Sequence, residues 1–385
     1  MTDREFAEIN PDVLKWARER AGYRLDAVAK KVGVSVERVG QWEAGGTPLT
    51  MGRLETLASI YKRPTAIFYL PEPPAEMDET LPDFRAHADG TVSPELRFQL
   101  RRARERREVA LELFAEVKQE PKVFELRARA TETPVVAGDR LRQALGIDVE
   151  TQRSWKTDRT GYKALGAWKD AVERAGVLVF QGARKDLGGS RGLSIWATPL
   201  PVVVLASSDT PTGRIFTLMH ELAHLALREG GICDLNDNGT EAFCNRVAAA
   251  ALMPEPALRA EAGALSKGRK AWSDAEIDKL ARVFSVSAQA LVLRLLELGE
   301  VSHDFYRSRR SVFDKRNAAT KGEGGPIPQQ TLAIARNGRH FTRLVLEAYR
   351  RGAITAHDAS THLNVAFRYV PEIEREMARH EWKAA

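Results

Sequence analysis

Most hydrophobic positions of the chain recur at helical spacing, and only its middle third breaks into short apolar runs. Over residues 10–70, short helical patterns alternate with tight turns. They stop at Leu70-Pro71-Glu72-Pro73-Pro74, a proline cluster that cannot continue a helix. Residues 94–130 carry Leu96, Leu100, Ala103, Val109, Leu113, Phe114 and Val117 between charged residues, which predicts long amphipathic connecting helices. Between 136 and 262, helical patterns mix with Val177-Leu178-Val179-Phe180 and Val202-Val203-Val204-Leu205, β-branched runs bounded by Gly, Pro or Ser that read as strands. Helices return beyond 270, interrupted by the polar, glycine-rich stretch Thr320 to Gln330, expected to be a linker. The expected fold is mainly α with one α+β domain, divided into 1–74, a helical connector 75–135, the α+β region 136–265 and a helical C-terminal region 266–385.

Composition narrows the picture. With 385 residues, 43% of them hydrophobic, the chain can bury a sizeable core. No apolar run approaches the roughly 18–20 residues of a spanning helix, and the acidic start is unlike a signal peptide, so a cytoplasmic location without membrane contact is expected. Cys233 and Cys244 are the only two cysteines, too few for a disulfide framework or a four-thiolate zinc site. The net charge of +6 is carried by residues 301–385, with 15 Lys+Arg against 9 Asp+Glu, and this stretch reads as a basic tail. Residues 1–74 hold 11 basic and 10 acidic residues, so nucleic-acid binding there has to rest on positioned contacts rather than bulk charge.

Positioned contacts are offered by Leu25-Asp-Ala-Val-Ala29-Lys-Lys-Val-Gly33-Val34-Ser35-Val-Glu-Arg38-Val-Gly-Gln41-Trp42-Glu43. A helix carrying the small Ala29, a turn at Gly33 and a capping Ser35 describe a helix-turn-helix. With Ala44-Gly45 and the later Leu54, Leu57 and Ala58, the segment resembles the Xre, lambda-repressor-like family, a five-helix fold. The resemblance implies that the second helix enters the major groove of double-stranded DNA with Ser35, Arg38 and Gln41 outward, Arg and Gln suiting guanine and adenine edges. Arg24-Leu25 stands where the family usually opens the first helix with Thr-Gln, removing a cap and a phosphate contact.

The second constellation is His220-Glu221-Leu-Ala-His224 within a helical stretch. At about 100° per residue the two imidazoles share one face, one turn apart, and can bind one zinc ion. Glu221 sits beside them, placed to take a proton from a water polarised by that ion. A catalytic zinc needs a third protein ligand, for which Glu229, Cys233, Asp234, Asp237, Glu241 and Cys244 are candidates. Glu241 opens an uninterrupted helical pattern running to Leu252-Met253-Pro254 after Gly239-Thr240, which can turn and cap it.

This Glu241-x-x-x-Asn245 helix ending in Leu-Met-Pro, after Phe216-Thr217-x-x-His-Glu-x-x-His-Leu225, resembles the zinc metallopeptidases of the ImmA/IrrE family. The segment Trp168 to Phe180 and the pair Gly192-Leu-Ser-Ile-Trp196 and Pro201–Leu205 match its helix-then-strand entry and paired strands. The resemblance implies a zincin-like core with His220, His224 and Glu241 as ligands of one zinc ion and Glu221 as general base. A Cys244 thiolate stays as the alternative third ligand. It also implies a strand edge for an extended peptide, and a helix-turn-helix-like segment over Leu280–Leu295. Ile354 to Val365 resembles such a segment more thinly, and His340, His357 and His362 are expected to be solvated. The match is strong over 11–70 and 165–300 and weak over 75–135 and 301–385.

Two functions follow. In the first, a zinc-dependent endopeptidase joined to a DNA-binding domain cleaves a protein substrate, a helix-turn-helix transcriptional repressor, to control a stress or mobile-element response. In the second, the chain is a transcriptional regulator whose metallopeptidase-like domain senses a ligand or dimerises without cleaving. A second copy of the chain, as a homodimer, is a further candidate partner.

Overall fold

The computed structural model describes residues 5–74, 93–228, 238–266, 272–319 and 327–384. Their contacts divide them into two units, the first ending at Arg101 and the second beginning at Arg102.

In the first unit, helices α1 (Pro11–Arg20), α2 (Leu25–Val32), α3 (Val36–Glu43) and α4 (Met51–Tyr61) are followed by a 3-10 turn at Thr65–Tyr69. Strand β1 (Phe6–Ala7) pairs antiparallel with β2 (Leu49–Thr50). Local chemistry sets the helix ends. Asn10 accepts the Asp12 N–H to start α1, and Gly33 takes a left-handed φ of 72° to end α2. Ser35 then accepts the Arg38 N–H at 3.3 Å to start α3. Arg24 heads α2 without a side-chain cap, as the unusual Arg24-Leu25 pair predicts. Val13, Leu14, Ala17, Val28, Ala29, Val39, Leu54, Leu57 and Phe68 form the core. Beside it Arg18 grips Glu43 with Nε–Oε1 and Nη2–Oε2 contacts of 2.7 and 3.0 Å, and Nη1 donates to the Tyr23 carbonyl. The Trp42-Glu43 pair therefore ties α3 to α1 by packing and by charge.

The second unit takes in all but the first turns of α5 (Pro94–Glu116). The expected helices do not continue to 130. Lys118 turns left-handed at φ 53°, Pro121 follows, and residues 119–129 form no helix or strand, with Phe124 buried. At Gly176 (φ 92°) a β-carbon would collide with the Lys122 carbonyl, so this segment passes close over the exit of a helix. That approach is not legible in helical periodicity.

Helices α6 (Pro134–Leu145), α7 (Val149–Ser154) and α8 (Tyr162–Arg174) lead into a three-stranded sheet of β3 (Leu178–Gly182), β4 (Gly192–Ile195) and β5 (Val202–Ala206). Its order is β3-β5-β4, with β3 parallel and β4 antiparallel to β5 and Ser194 opposite Val203. Helix α9 (Pro211–Leu227) begins at the Thr210 cap with Pro211 in its first turn. It packs on β4, β5 and α8. Helix α10 (Asn238–Leu252) packs on α6 and α9. Because α10 starts at Asn238, Gly239 and Thr240 lie in its first turn rather than ahead of it. At its far end, Arg142 donates to the Ala251 carbonyl at 2.8 Å and Gln152 to that of Leu252 at 3.0 Å, filling acceptors the helix leaves open.

Helices α11 (Glu255–Ser266), α12 (Asp274–Phe284), α13 (Ala288–Glu297) and α14 (His303–Ala319) follow. Residues 320–326 of the expected linker lie outside the described residues. Helices α15 (Gln329–Asn337), α16 (Arg339–Arg350), α17 (Ala356–Leu363) and α18 (Val370–Ala384) bury Ile334, Phe341, Val345, Leu346, Leu363, Ile373 and Met377. The basic tail is thus a folded module. Arg339 pairs with Asp170, Arg350 with Glu374 and Arg375 with Glu372, and α15 packs on β3. His340 is half-buried against Phe114, with ring centroids 5.7 Å apart, whereas His357 is exposed as expected.

One turn recurs at several helix ends. Gly33, Ser285 and Asn364 each take a left-handed φ after a helix, and each is followed by a valine whose N–H bonds five residues back. The pairs are Val34 to Ala29, Val286 to Ala281 and Val365 to Ser360, at 3.0, 3.0 and 3.1 Å. The helices that follow differ in what they expose: Arg38 and Gln41 in α3, against the apolar Leu293 in α13, whose Leu291, Val292 and Leu295 are core.

Candidate metal centre

Helix α9 is amphipathic in an unusual sense, because its buried side includes charge. Glu221 is 5% and His224 1% exposed, among fully buried Leu218, Leu222 and Ala223. His220 and His224 stand one turn apart, and their Nε2 atoms are 3.1 Å from each other. Two ring nitrogens that close must share a proton or a cation. From α10, Glu241 brings Oε2 to 3.4 Å from His220 Nε2 and Oε1 to 3.6 Å from His224 Nε2. Donor atoms about 2.0–2.1 Å from a tetrahedral zinc ion lie roughly 3.3 Å apart. The three side chains thus already stand at the mutual spacing of zinc ligands, and their donor atoms all fall within 4.8 Å of one another.

Cys244 does not join this group; it is buried in the hydrophobic core one turn from Glu241. Glu229, Cys233, Asp234 and Asp237 lie outside the described residues.

The electrostatics follow from burial and proximity. Burial pulls the His220 imidazolium down, but hydrogen bonding to Glu241 and the nearby Glu221 and Asn245 outweigh it, so its pKa is raised. Burial and the charge of His220 push His224 down to about 4. Burial pushes the Glu221 carboxyl up, tempered by His220 and by a hydrogen bond from Ser194. Imidazole nitrogens and a carboxylate converging at these distances form a donor set suited to a divalent cation.

Ser194 and Gly192 are the site residues that sequence reasoning missed. Ser194 Oγ donates to Glu221 Oε2 at 2.8 Å in a buried contact. A β-carbon on Gly192 would come within 2.5 Å of Thr217 Cγ2 and 3.2 Å of Glu221 Oε1. The signal was small residues at alternate positions of one strand, which marks a close approach on that face.

On the first unit, Ser35, Arg38 and Gln41 all lie exposed on or at the start of α3. Ser35 is engaged as the helix cap, and Gln41 Oε1 accepts the Thr47 hydroxyl at 3.1 Å.

Residues 172–296 match the family model described as Peptidase_M78, IrrE N-terminal-like domain, and residues 14–68 match that described as HTH_3, helix-turn-helix. No curated protein and no solved structure matches the chain. The chain carries a helix-turn-helix DNA-binding domain and an M78 metallopeptidase-like domain holding a His-His-Glu group, which implies DNA and a protein substrate as partners. No helix among the described residues is long and apolar enough to cross a membrane.

Proposed function

We propose that the chain is a zinc-dependent endopeptidase coupled to a DNA-binding domain, acting in the cytoplasm on a helix-turn-helix transcriptional repressor. The observation that carries this reading is the triangle of His220, His224 and Glu241 at 3.1, 3.4 and 3.6 Å, beside the buried carboxylate of Glu221. In this reading those three side chains hold one zinc ion, which when bound polarises the scissile carbonyl and lowers the pKa of water. Glu221 takes a proton as the water oxygen attacks the peptide carbon, and delivers it to the amine nitrogen as the C–N bond breaks. The edge of β4 runs beside this helix and presents main-chain groups to an extended peptide. Ser35, Arg38 and Gln41 meet DNA through the major groove, placing the peptidase at an operator where a repressor is bound.

The test is to incubate zinc-loaded protein with the helix-turn-helix repressors of its own host and look for one new fragment. Glu221→Gln, which keeps the metal ligands, should abolish that fragment. If the variant instead regulates host genes as the wild type does, the domain serves a regulator without cleavage.

A further inference from the structure

Strand β4 lies along α9 by one face. Its alternate residues Gly192 and Ser194, and Trp196 just beyond the strand, meet Thr217, Glu221 and Arg228 in turn. Thr217 and Glu221 crowd the space above Gly192. Ser194 Oγ reaches Glu221 Oε2 at 2.8 Å, and the Arg228 guanidinium covers the Trp196 ring at 4.2 Å. The two oxygens of Glu221 are therefore not equivalent. Oε2 accepts the Ser194 hydroxyl, whereas Oε1 lies 3.2 Å from where a β-carbon on Gly192 would stand.

We propose that Ser194 is a positioning residue for Glu221: its hydroxyl holds Oε2 and thereby sets the carboxylate rotamer that leaves Oε1 to accept and return the proton. This rests on the peptidase reading above. A glutamate has three side-chain torsions, and a buried carboxylate that loses its donor turns to find another. Ser194 keeps its own proton throughout, since a hydroxyl donating to a carboxylate has no reason to ionise beside a negative charge. Gly192 completes the device by admitting the strand close enough for the 2.8 Å contact. The serine also belongs to the strand whose edge would receive the peptide, so the element that docks substrate is the one that orients the base.

The experiment uses the zinc-loaded full chain with Ser194→Ala and with Ser194→Thr, which retains the hydroxyl. Groups that orient a metal site from just outside it typically carry 10–100-fold in activity. On fluorescently labelled casein, Ser194→Ala should lower kcat by about that factor with KM and zinc content unchanged, and Ser194→Thr should recover most of the loss. In crystals of the same proteins, Glu221 should hold one rotamer in the wild type and in Ser194→Thr, and turn or split in Ser194→Ala. A wild-type kcat in Ser194→Ala, or an unmoved single rotamer of Glu221 in its crystal, would overturn the proposal. Should the wild type leave both casein and the repressors of its own host intact, or Glu221→Gln cleave them equally well, the peptidase reading is what fails. The crystallographic comparison then decides the role of Ser194 by itself.

Discussion

Glu173 on α8 accepts the backbone N–H of Arg339 through Oε2 at 3.2 Å, so a side chain of the sheet-flanking layer closes the N-terminus of α16. The same oxygen accepts from His340 at 3.1 Å. One turn earlier Lys169, also buried, donates to the Ala335 carbonyl at the end of α15. Between those helices Gly338 turns at φ 75°, where a β-carbon would collide with the Glu173 carboxylate and the Val179 carbonyl. The C-terminal module is thus held against α8 and β3 by a buried acid, a buried base and a glycine without space for a side chain. Glu173→Ala takes from buried Lys169 the larger of its two neighbouring acids, leaving Asp170, and strips the first N–H groups of α16 of an acceptor, and should cost about 3–5 kcal/mol. Urea denaturation of the purified chain measures this. A loss under 1 kcal/mol would mean the network contributes little.

The position of Glu241 depends on how closely α6 and α10 cross. At Gly138 a β-carbon would come 2.8 Å from Ala250 Cβ and 2.9 Å from the Ala251 nitrogen, contacts with rigid partners. Gly138→Ala should therefore destabilise by roughly 1–3 kcal/mol and weaken zinc binding by displacing α10. Zinc affinity by competition with a chelator and thermal unfolding read the two effects. Gly33→Ala, at an uncrowded left-handed turn, should lower stability alone.

Metal content separates the two candidates for third ligand. The purified chain should hold about one zinc ion, because three protein ligands leave one open position. Glu241→Ala should lose it, and Cys244→Ser should keep it, since Cys244 is outside the group within ligand distance. Elemental analysis after dialysis decides, and the reverse pattern would assign the site to the thiolate.

The DNA-binding unit offers a separation of fold from contact. Arg18 and Glu43 have side chains 9% and 6% exposed, and removing one partner strands the other. Glu43→Ala should cost about 3–5 kcal/mol and abolish DNA binding by loosening α3 from α1. Arg38→Ala should leave the fold intact, cost about 1–3 kcal/mol on a selected duplex and relax preference at one base pair. Circular dichroism with binding to selected and scrambled duplexes distinguishes them; equal weakening on every sequence would make Arg38 a phosphate contact.

What the sequence determined by itself was whatever depends on neighbours within about one or two turns. The cap at Ser35, the left-handed Gly33 and the one-turn spacing of His220 and His224 follow from local hydrogen bonding and the helical period, and each was legible in the chain. The turns at Gly33, Ser285 and Asn364 show the limit of that legibility. Their local geometry is the same, yet α3 exposes the polar Arg38 and Gln41 while α13 exposes the apolar Leu293 and buries Leu291, Val292 and Leu295, because exposure is set by what packs against the second helix. Tertiary structure alone decided the rest. It brought Glu241 to the two imidazoles by the α6–α10 crossing at Gly138, laid the segment around Lys122 over Gly176, folded the arginine-rich C-terminus into a module anchored on Glu173, and set Ser194 against Glu221. Each of these is a contact between segments far apart in the chain. It is paid for in loop-closure entropy and secured by complementary shape and charge at both ends, and neither the period nor the composition of one segment records what the other will present.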